Sequence, residues 1–139
     1  MQPLSPEIGS PRDWLRYAKS DLVIAQSARL LPEVLFDSFC FHAQQAAEKS
    51  MKAVLVQAGI RFPFTHNLET LTNLIKTAGI DWDETLNPVI ELSIYALAGR
   101  YPSVSEAITE EEYDQAVALA EQVFTWAQSL IETLSEESP

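Results

Sequence analysis

The sequence predicts an all-α protein, an antiparallel up-and-down bundle of four to five helices. Apolar residues recur at the three- and four-residue spacing of a helix in five segments of the chain. No segment shows the alternation of apolar and polar residues that is typical of a strand. Short connections containing glycine or proline separate the segments, which indicates that neighbouring helices pack against each other.

The first two predicted helices have recognisable ends. Helix one covers 11–31, with Ser10 as its N-cap and Pro32 as the residue that stops it. Helix two covers roughly 34–58, and Gly59 follows it in the position of a C-terminal cap. These signals predict a long second helix joined to the first by a short turn.

The other three helices complete the bundle. Helix three covers about 67–78 and stops at Gly79, and helix four covers about 83–98. Helix five has the clearest start, because Thr109 and Glu112 have the spacing of a capping box, in which each side chain bonds to the backbone of the other residue. We therefore predict one helical domain over 11–134, a flexible tail over 1–10 and a frayed end over 135–139.

Composition indicates a cytoplasmic protein. The N-terminus lacks the basic region and apolar run of a secretory signal, and no apolar run approaches the roughly 18 residues that span a bilayer. Cys40 is the one cysteine, so it cannot form an internal disulfide, and its apolar neighbours predict a buried structural thiol. Two histidines and one cysteine offer no metal-binding pattern, and no cofactor is predicted.

Charge limits the partners that the protein can bind. The net charge is -11, and from residue 101 onward there are nine acidic residues and no Lys or Arg. Because non-specific binding of nucleic acids depends on Lys and Arg, RNA is a less favoured partner than a protein, and any anionic ligand must bind to the first hundred residues.

Several segments occur in a fixed order along the chain. They are Trp14–Leu22, Phe41–Lys49 with Lys52–Ala53, His66–Leu68 with Leu71, Arg100–Pro102, and a last helix that begins at a Thr-Glu-Glu cap. In helix two, a row of polar residues lies on the side opposite its apolar face. Together the segments cover about residues 11–134, and they resemble the HEPN family, the "higher eukaryotes and prokaryotes nucleotide-binding" domain.

The resemblance implies a five-helix bundle that pairs as a homodimer. Such domains often work beside a minimal nucleotidyltransferase in toxin–antitoxin modules, and many are ribonuclease toxins. The toxins cut RNA without a metal, using an Arg and a His four to six residues apart, of which the His moves a proton and the Arg stabilises charge on phosphorus.

The chain departs from this ribonuclease pattern. Arg100 takes the place of the expected Arg, but no His follows it at the required distance. Arg61 and His66 have the spacing, yet they lie in the first long loop, where Pro63 interrupts helical geometry. We retain Arg61 and His66 as the catalytic candidates, although the His-Asn-Leu segment of the family already explains His66.

Two groups of residues are candidates for binding a nucleotide or another anion. His42, Gln45, Lys49 and Lys52 can project from one side of helix two. The alternative is an exposed or dimer-facing stripe, with Glu48 and Lys52 as an ordinary ion pair. Arg100 and Tyr101 combine a guanidinium with an aromatic ring before a proline-stiffened loop, and the alternative is a purely structural Arg.

These observations favour a HEPN protein that does not cleave RNA. It would bind a nucleotidyltransferase partner, and a nucleotide, in a two-gene module related to toxin–antitoxin pairs. Two alternatives remain open. One is an RNA endonuclease toxin with a nonstandard Arg/His site, and the other is a helical adaptor without a small ligand.

Overall fold

The structure is a computed structural model that describes residues 9–97 and 107–137. In these ranges the regular structure is entirely helical, so the predicted all-α fold is confirmed. The α-helices are α1 (Pro11–Ala25), α2 (Phe36–Gln57), α3 (Leu68–Thr77) and α4 (Glu110–Glu137). A 3₁₀ turn follows α1 at Ala28–Leu30, and a long 3₁₀ helix occupies Glu84–Leu97 between α3 and α4.

The predicted N-terminal caps are present. The Ser10 hydroxyl accepts from the backbone N–H of Asp13, and the Asp13 carboxylate accepts from the N–H of Ser10, at 3.1 Å each. Thr109 and Glu112 form the same reciprocal pair at 3.0 and 3.1 Å. Each pair satisfies backbone donors that the first turn of a helix leaves without partners, so local sequence determines where α1 and α4 begin.

Glycines end α2 and α3, as predicted. Gly59 and Gly79 have φ angles of 70° and 77°, a left-handed conformation that costs glycine little. The N–H of Ile60 then reaches back to the carbonyl of Leu55 at 2.9 Å, which satisfies a carbonyl in the last turn of α2.

The predicted first helix was too long. It was expected to reach residue 31, but α1 ends at Ala25. The Ser27 hydroxyl donates to the carbonyl of Val23 at 2.7 Å, and the N–H of Ser27 bonds to the carbonyl of Ile24, three residues back. Serine bonded to its own helix in this way bends the backbone, which explains the change to a 3₁₀ turn at Ala28–Leu30.

The fourth helix is present but differs in type from an ordinary α-helix. It covers Glu84–Leu97 with 3₁₀ geometry and contains Pro88. Proline has no N–H to donate, so it weakens the hydrogen-bond pattern of an α-helix at that point. The apolar residues of this helix, Leu86, Val89 and Leu92, are three apart and therefore stay on one face of a three-residue turn.

Helix α2 lies at the centre and packs against α1, α3, α4 and the long 3₁₀ helix. Trp14, near the start of α1, lies beside Lys52, near the end of α2. Asp21, a later residue of α1, pairs with His42 in the first half of α2. The two helices therefore run antiparallel.

The core around α2 is built with small side chains. Fully buried alanines on all three long helices, such as Ala18, Ala47 and Ala120, allow the helix backbones to approach closely. Phe39 and Met51 fill the larger spaces. Cys40 is completely buried in this core, as predicted, and burial, followed by the nearby acidic side chains, raises the pKa of its thiol to about 12. In the described part of the chain, every helix is too short or too polar to span a membrane.

Candidate functional site

A buried ion pair occupies the middle of α2. Glu48 and Lys52 are one helical turn apart, and their side chains are only 4% and 7% exposed. Lys52 Nζ lies 2.9 Å from Glu48 Oε2. The predicted pair is therefore present, but the prediction that it could be an ordinary exposed pair was wrong. Trp14 of α1 and Phe62 and His66 of the loop before α3 contact this pair, so a polar residue of α2 can be buried even though it lies outside the apolar stripe.

Hydrogen bonds attach the loop before α3 to this ion pair. His66 Nδ1 lies 2.8 Å from Glu48 Oε1, and Gln44 Nε2 donates to the same oxygen at 3.1 Å. Gln44 Nε2 also donates to the backbone carbonyl of His66 at 3.1 Å. Glu48 thus holds α2 and the loop together, and we call Gln44, Glu48, Lys52 and His66 the Glu48 cluster.

The electrostatics of the Glu48 cluster keep its carboxylate charged. Burial alone would raise the pKa of Glu48, because a low-dielectric interior disfavours the ion. The Lys52 charge and the hydrogen bonds from Lys52, His66 and Gln44 outweigh burial, so the pKa of Glu48 lies below its usual value. At neutral pH the cluster therefore contains an ionised carboxylate.

Two aromatic rings surround the ammonium group of Lys52. Its Nζ lies 5.5 Å from the ring centre of Phe62 and 5.9 Å from that of Trp14. The two rings meet edge to face at 6.2 Å. Rings at this distance stabilise a cation through the negative face of the π system. The positive charge of Lys52 is therefore stabilised by both rings as well as by Glu48.

A second cluster, the Asp21 cluster, links α1 to α2. Asp21 accepts from Lys49 Nζ at 2.7 Å and lies 2.8 Å from His42 Nδ1. The side chain of Asp21 is 11% exposed, whereas those of His42 and Lys49 are 29% and 24% exposed. Lys49 also lies 6.0 Å from the ring of Tyr17, which is mostly exposed. This cluster is closer to the surface than the Glu48 cluster.

Both histidines of the chain have the same arrangement. His42 and His66 each place Nδ1 against a carboxylate, which favours a proton on that nitrogen and fixes the direction of the ring. Among the described residues, Nε2 of neither ring has a hydrogen-bond partner. Each Nε2 can therefore accept a proton from a ligand or contact an anion when protonated.

The structure separates the residues that the sequence placed on one stripe of helix two. His42 and Lys49 belong to the Asp21 cluster, and Lys52 belongs to the Glu48 cluster. Arg61 and His66 share the loop between α2 and α3, and His66 is bound to Glu48. Arg100 and Tyr101 lie outside the described residues.

Sequence reasoning missed one residue of each cluster, the acceptor Asp21 and the donor Gln44. Asp21 lies on α1 between the buried residues Ala18 and Leu22, and an acidic residue so close to a buried stripe requires a cationic partner. That position was the available signal. Gln44 is completely buried, and no pattern in the sequence distinguishes it from the neighbouring Gln45.

Comparison with known families and structures identifies the bundle. The model of the HEPN domain matches residues 11–130. No match was found among curated proteins.

Two solved structures have a similar fold. One is ST0689, an archaeal HEPN homologue that is 24% identical, with a TM-score of 0.68 over 88% of this chain and 98% of that one. The other is TT1696 from Thermus thermophilus, which is 26% identical, with a TM-score of 0.68 over 86% of this chain and 96% of that one. Because the family model covers nearly the whole chain and the arrangement of helices agrees, the chain belongs to the HEPN domain family.

Proposed function

We propose that this HEPN protein acts by binding and does not cleave RNA. The observation that carries the proposal is that both lysines of α2 form ion pairs with carboxylates of the protein. Lys49 is paired with Asp21, and Lys52 is paired with Glu48 inside the protein. Binding of an RNA backbone requires cations that can contact its phosphates, and the lysines of α2 are already paired. The net charge of -11 also disfavours binding of RNA, which is an anion.

The partner proposed is a minimal nucleotidyltransferase, in a two-gene module related to toxin–antitoxin pairs. Membership of the HEPN family supports this proposal. Exposed apolar side chains at the turn between α1 and α2 also support it, since Leu30 and Leu35 are 81% and 70% exposed. Apolar groups gathered at one place on a surface are typical of sites that contact another protein.

The experiment is co-expression with a small nucleotidyltransferase encoded next to this gene, followed by size-exclusion chromatography with light scattering. We expect a homodimer of this chain alone and a stable complex of the two proteins. Leu30→Glu with Leu35→Glu should weaken association, whereas Glu33→Gln in the same turn should not. A monomer at micromolar concentration, in the presence and absence of the partner, would contradict the proposal.

A nucleotide is the small ligand that we propose at Arg100 and Tyr101. The guanidinium can bind a phosphate through paired hydrogen bonds, and the ring can stack on a base. Calorimetric titration with ATP or GTP tests this assignment. A loss of ATP or GTP binding sites in Arg100→Ala relative to the wild type would support it, and no heat with the wild type at high protein concentration would remove it.

One observation favours a second candidate, a metal-free RNA endonuclease. The Glu48 carboxylate orients His66 as a carboxylate orients a general base, and Nε2 of His66 faces away from that bond. In this candidate Nε2 takes the proton of the attacking 2′-hydroxyl, and Arg61 stabilises the developing negative charge. Cleavage of RNA that disappears in His66→Ala would favour it.

A further inference from the structure

A cleft between α1 and α4 lies apart from both polar clusters. Its volume is about 250 Å³, and it is open to solvent. Arg12, Arg16 and Lys19 of α1 form one wall. Phe124 and Ile131 of α4 are buried at its base. A basic wall above an apolar base is unusual for a chain whose net charge is -11.

The charges on this wall are less neutralised than those of three lysines elsewhere in the described residues. Lys49, Lys52 and Lys76 each pair with a carboxylate at 2.7–3.2 Å. By contrast, neither Arg12 nor Lys19 makes an ion pair with any described residue.

Arg16 of the same wall has one weak pair. Its partner is Asp13, at 3.5 Å, and both side chains are largely exposed, so water screens the interaction. Most of the positive charge of the wall therefore remains available to a ligand.

The three cations lie in a row along one side of α1. They occupy positions i, i+4 and i+7, so the row extends about 10 Å along the helix axis. This is longer than a single phosphate or carboxylate group needs and suits a short chain of phosphates. The two guanidinium groups can each bind phosphate oxygens in pairs, and Lys19 adds a point charge at the end of the row.

The rest of the cleft fits an uncharged part of the same ligand. Leu15, Phe124 and Ile131 provide apolar surface. Lys19 Nζ lies 5.4 Å from the centre of the Phe124 ring, which holds the ammonium group at the edge of the cleft. Gln128 and Glu132 form the opposite wall, where the Glu132 carboxylate repels any phosphate that moves away from α1.

We propose that this cleft binds a small molecule that carries two or more linked phosphates, with its phosphates on Arg12, Arg16 and Lys19. The net charge of -11 disfavours anions over the protein as a whole, so the row of three cations favours the ligand at this cleft. The residues of this site do not include Arg100 or Tyr101, and the proposal does not depend on a nucleotidyltransferase partner.

The test is calorimetric titration of the full-length protein with pyrophosphate, ATP and inorganic phosphate at low ionic strength. We expect saturable binding of pyrophosphate and ATP, and weaker binding of inorganic phosphate. Arg12→Gln with Lys19→Gln should weaken binding of pyrophosphate by about tenfold or more, because two charge-assisted contacts are lost. Arg29→Gln is the matched control, because it removes an exposed cation outside the cleft, and it should bind like the wild type.

A second variant should change the affinity for pyrophosphate in the opposite direction. Glu132→Gln removes the repelling carboxylate and should tighten binding of pyrophosphate. Absence of saturable binding by the wild type would overturn the proposal. Equal affinity of the wild type and the double variant would do the same, as would an equal loss in Arg29→Gln. Circular dichroism of each variant verifies that the helices are intact, and the Glu132→Gln result stands even if the double variant does not fold.

Discussion

Replacing Glu48 by Gln should strongly destabilise the fold. Glu48 and Lys52 are 4% and 7% exposed, so the variant leaves the ammonium group of Lys52 buried without a counter-ion. Removing one partner of a buried pair costs about 3–5 kcal/mol, out of a total of about 5–15 kcal/mol for a domain of this kind. The variant should therefore lose a large part of its free energy of unfolding.

The same carboxylate gives stability a defined dependence on pH. The pKa of Glu48 is lower in the folded protein than in the unfolded chain, where a Glu titrates at about 4.3. The folded state therefore gains stability from the ionised form above that pH, and this gain is lost as the pH falls through the lower pKa of the folded protein. Glu48→Gln should remove this part of the acid dependence.

Urea unfolding at about pH 7, followed by circular dichroism and tryptophan fluorescence, measures the loss. Glu33→Gln, at an exposed position, is the control and should stay within about 0.5 kcal/mol of the wild type. Glu48→Gln combined with Lys52→Met should lose less than the two single variants together, because the buried charge is then absent. A loss below about 0.5 kcal/mol in Glu48→Gln, or additive losses in the double variant, would refute the reasoning.

Three further predictions follow from single contacts. Asp21→Asn should lower the free energy of unfolding by about 1–3 kcal/mol in urea, less than Glu48→Gln, because Lys49 can turn toward water; an equal or larger loss would contradict this. Tyr113→Phe removes the hydrogen bond at 2.5 Å to the carbonyl of Ala25 and should lower the free energy of unfolding by about 1–3 kcal/mol without changing the urea m-value. An unchanged urea midpoint would contradict this prediction. Burial raises the pKa of the Cys40 thiol to about 12, so mass spectrometry should detect no alkylation by iodoacetamide at about pH 8 until urea unfolds the chain. Labelling of the folded protein as fast as the unfolded chain would contradict its burial.

Local signals in the sequence predicted the ends of the helices well. Ser10 and Thr109 cap their helices with side chains a few residues away, and Gly59 adopts a conformation that other residues avoid. Such contacts depend on neighbours in the sequence, so they can be inferred without knowing the tertiary structure. The 3₁₀ geometry of Glu84–Leu97 was harder to predict, because spacings of three residues fit both helix types.

The candidate site was predicted only in part because its contacts cross between helices. Helical spacing identified Glu48 and Lys52 as neighbours, but their burial depends on Trp14 of α1 and on the loop before α3. The partners Asp21 and His66 are 28 residues before Lys49 and 18 residues after Glu48 along the chain. A pattern read along one helix contains no information about which distant residue will neutralise its charges.

Incubation of the purified protein with a single-stranded RNA and a hairpin RNA, without added metal, tests most directly the proposal that the protein does not cleave RNA. We expect both RNAs to remain intact with the wild type, His42→Ala and His66→Ala, because the cations of α2 are already paired inside the protein. Cleavage by the wild type and by His42→Ala that is lost in His66→Ala would show that His66 is catalytic, and it would contradict the proposal that this HEPN protein acts by binding alone.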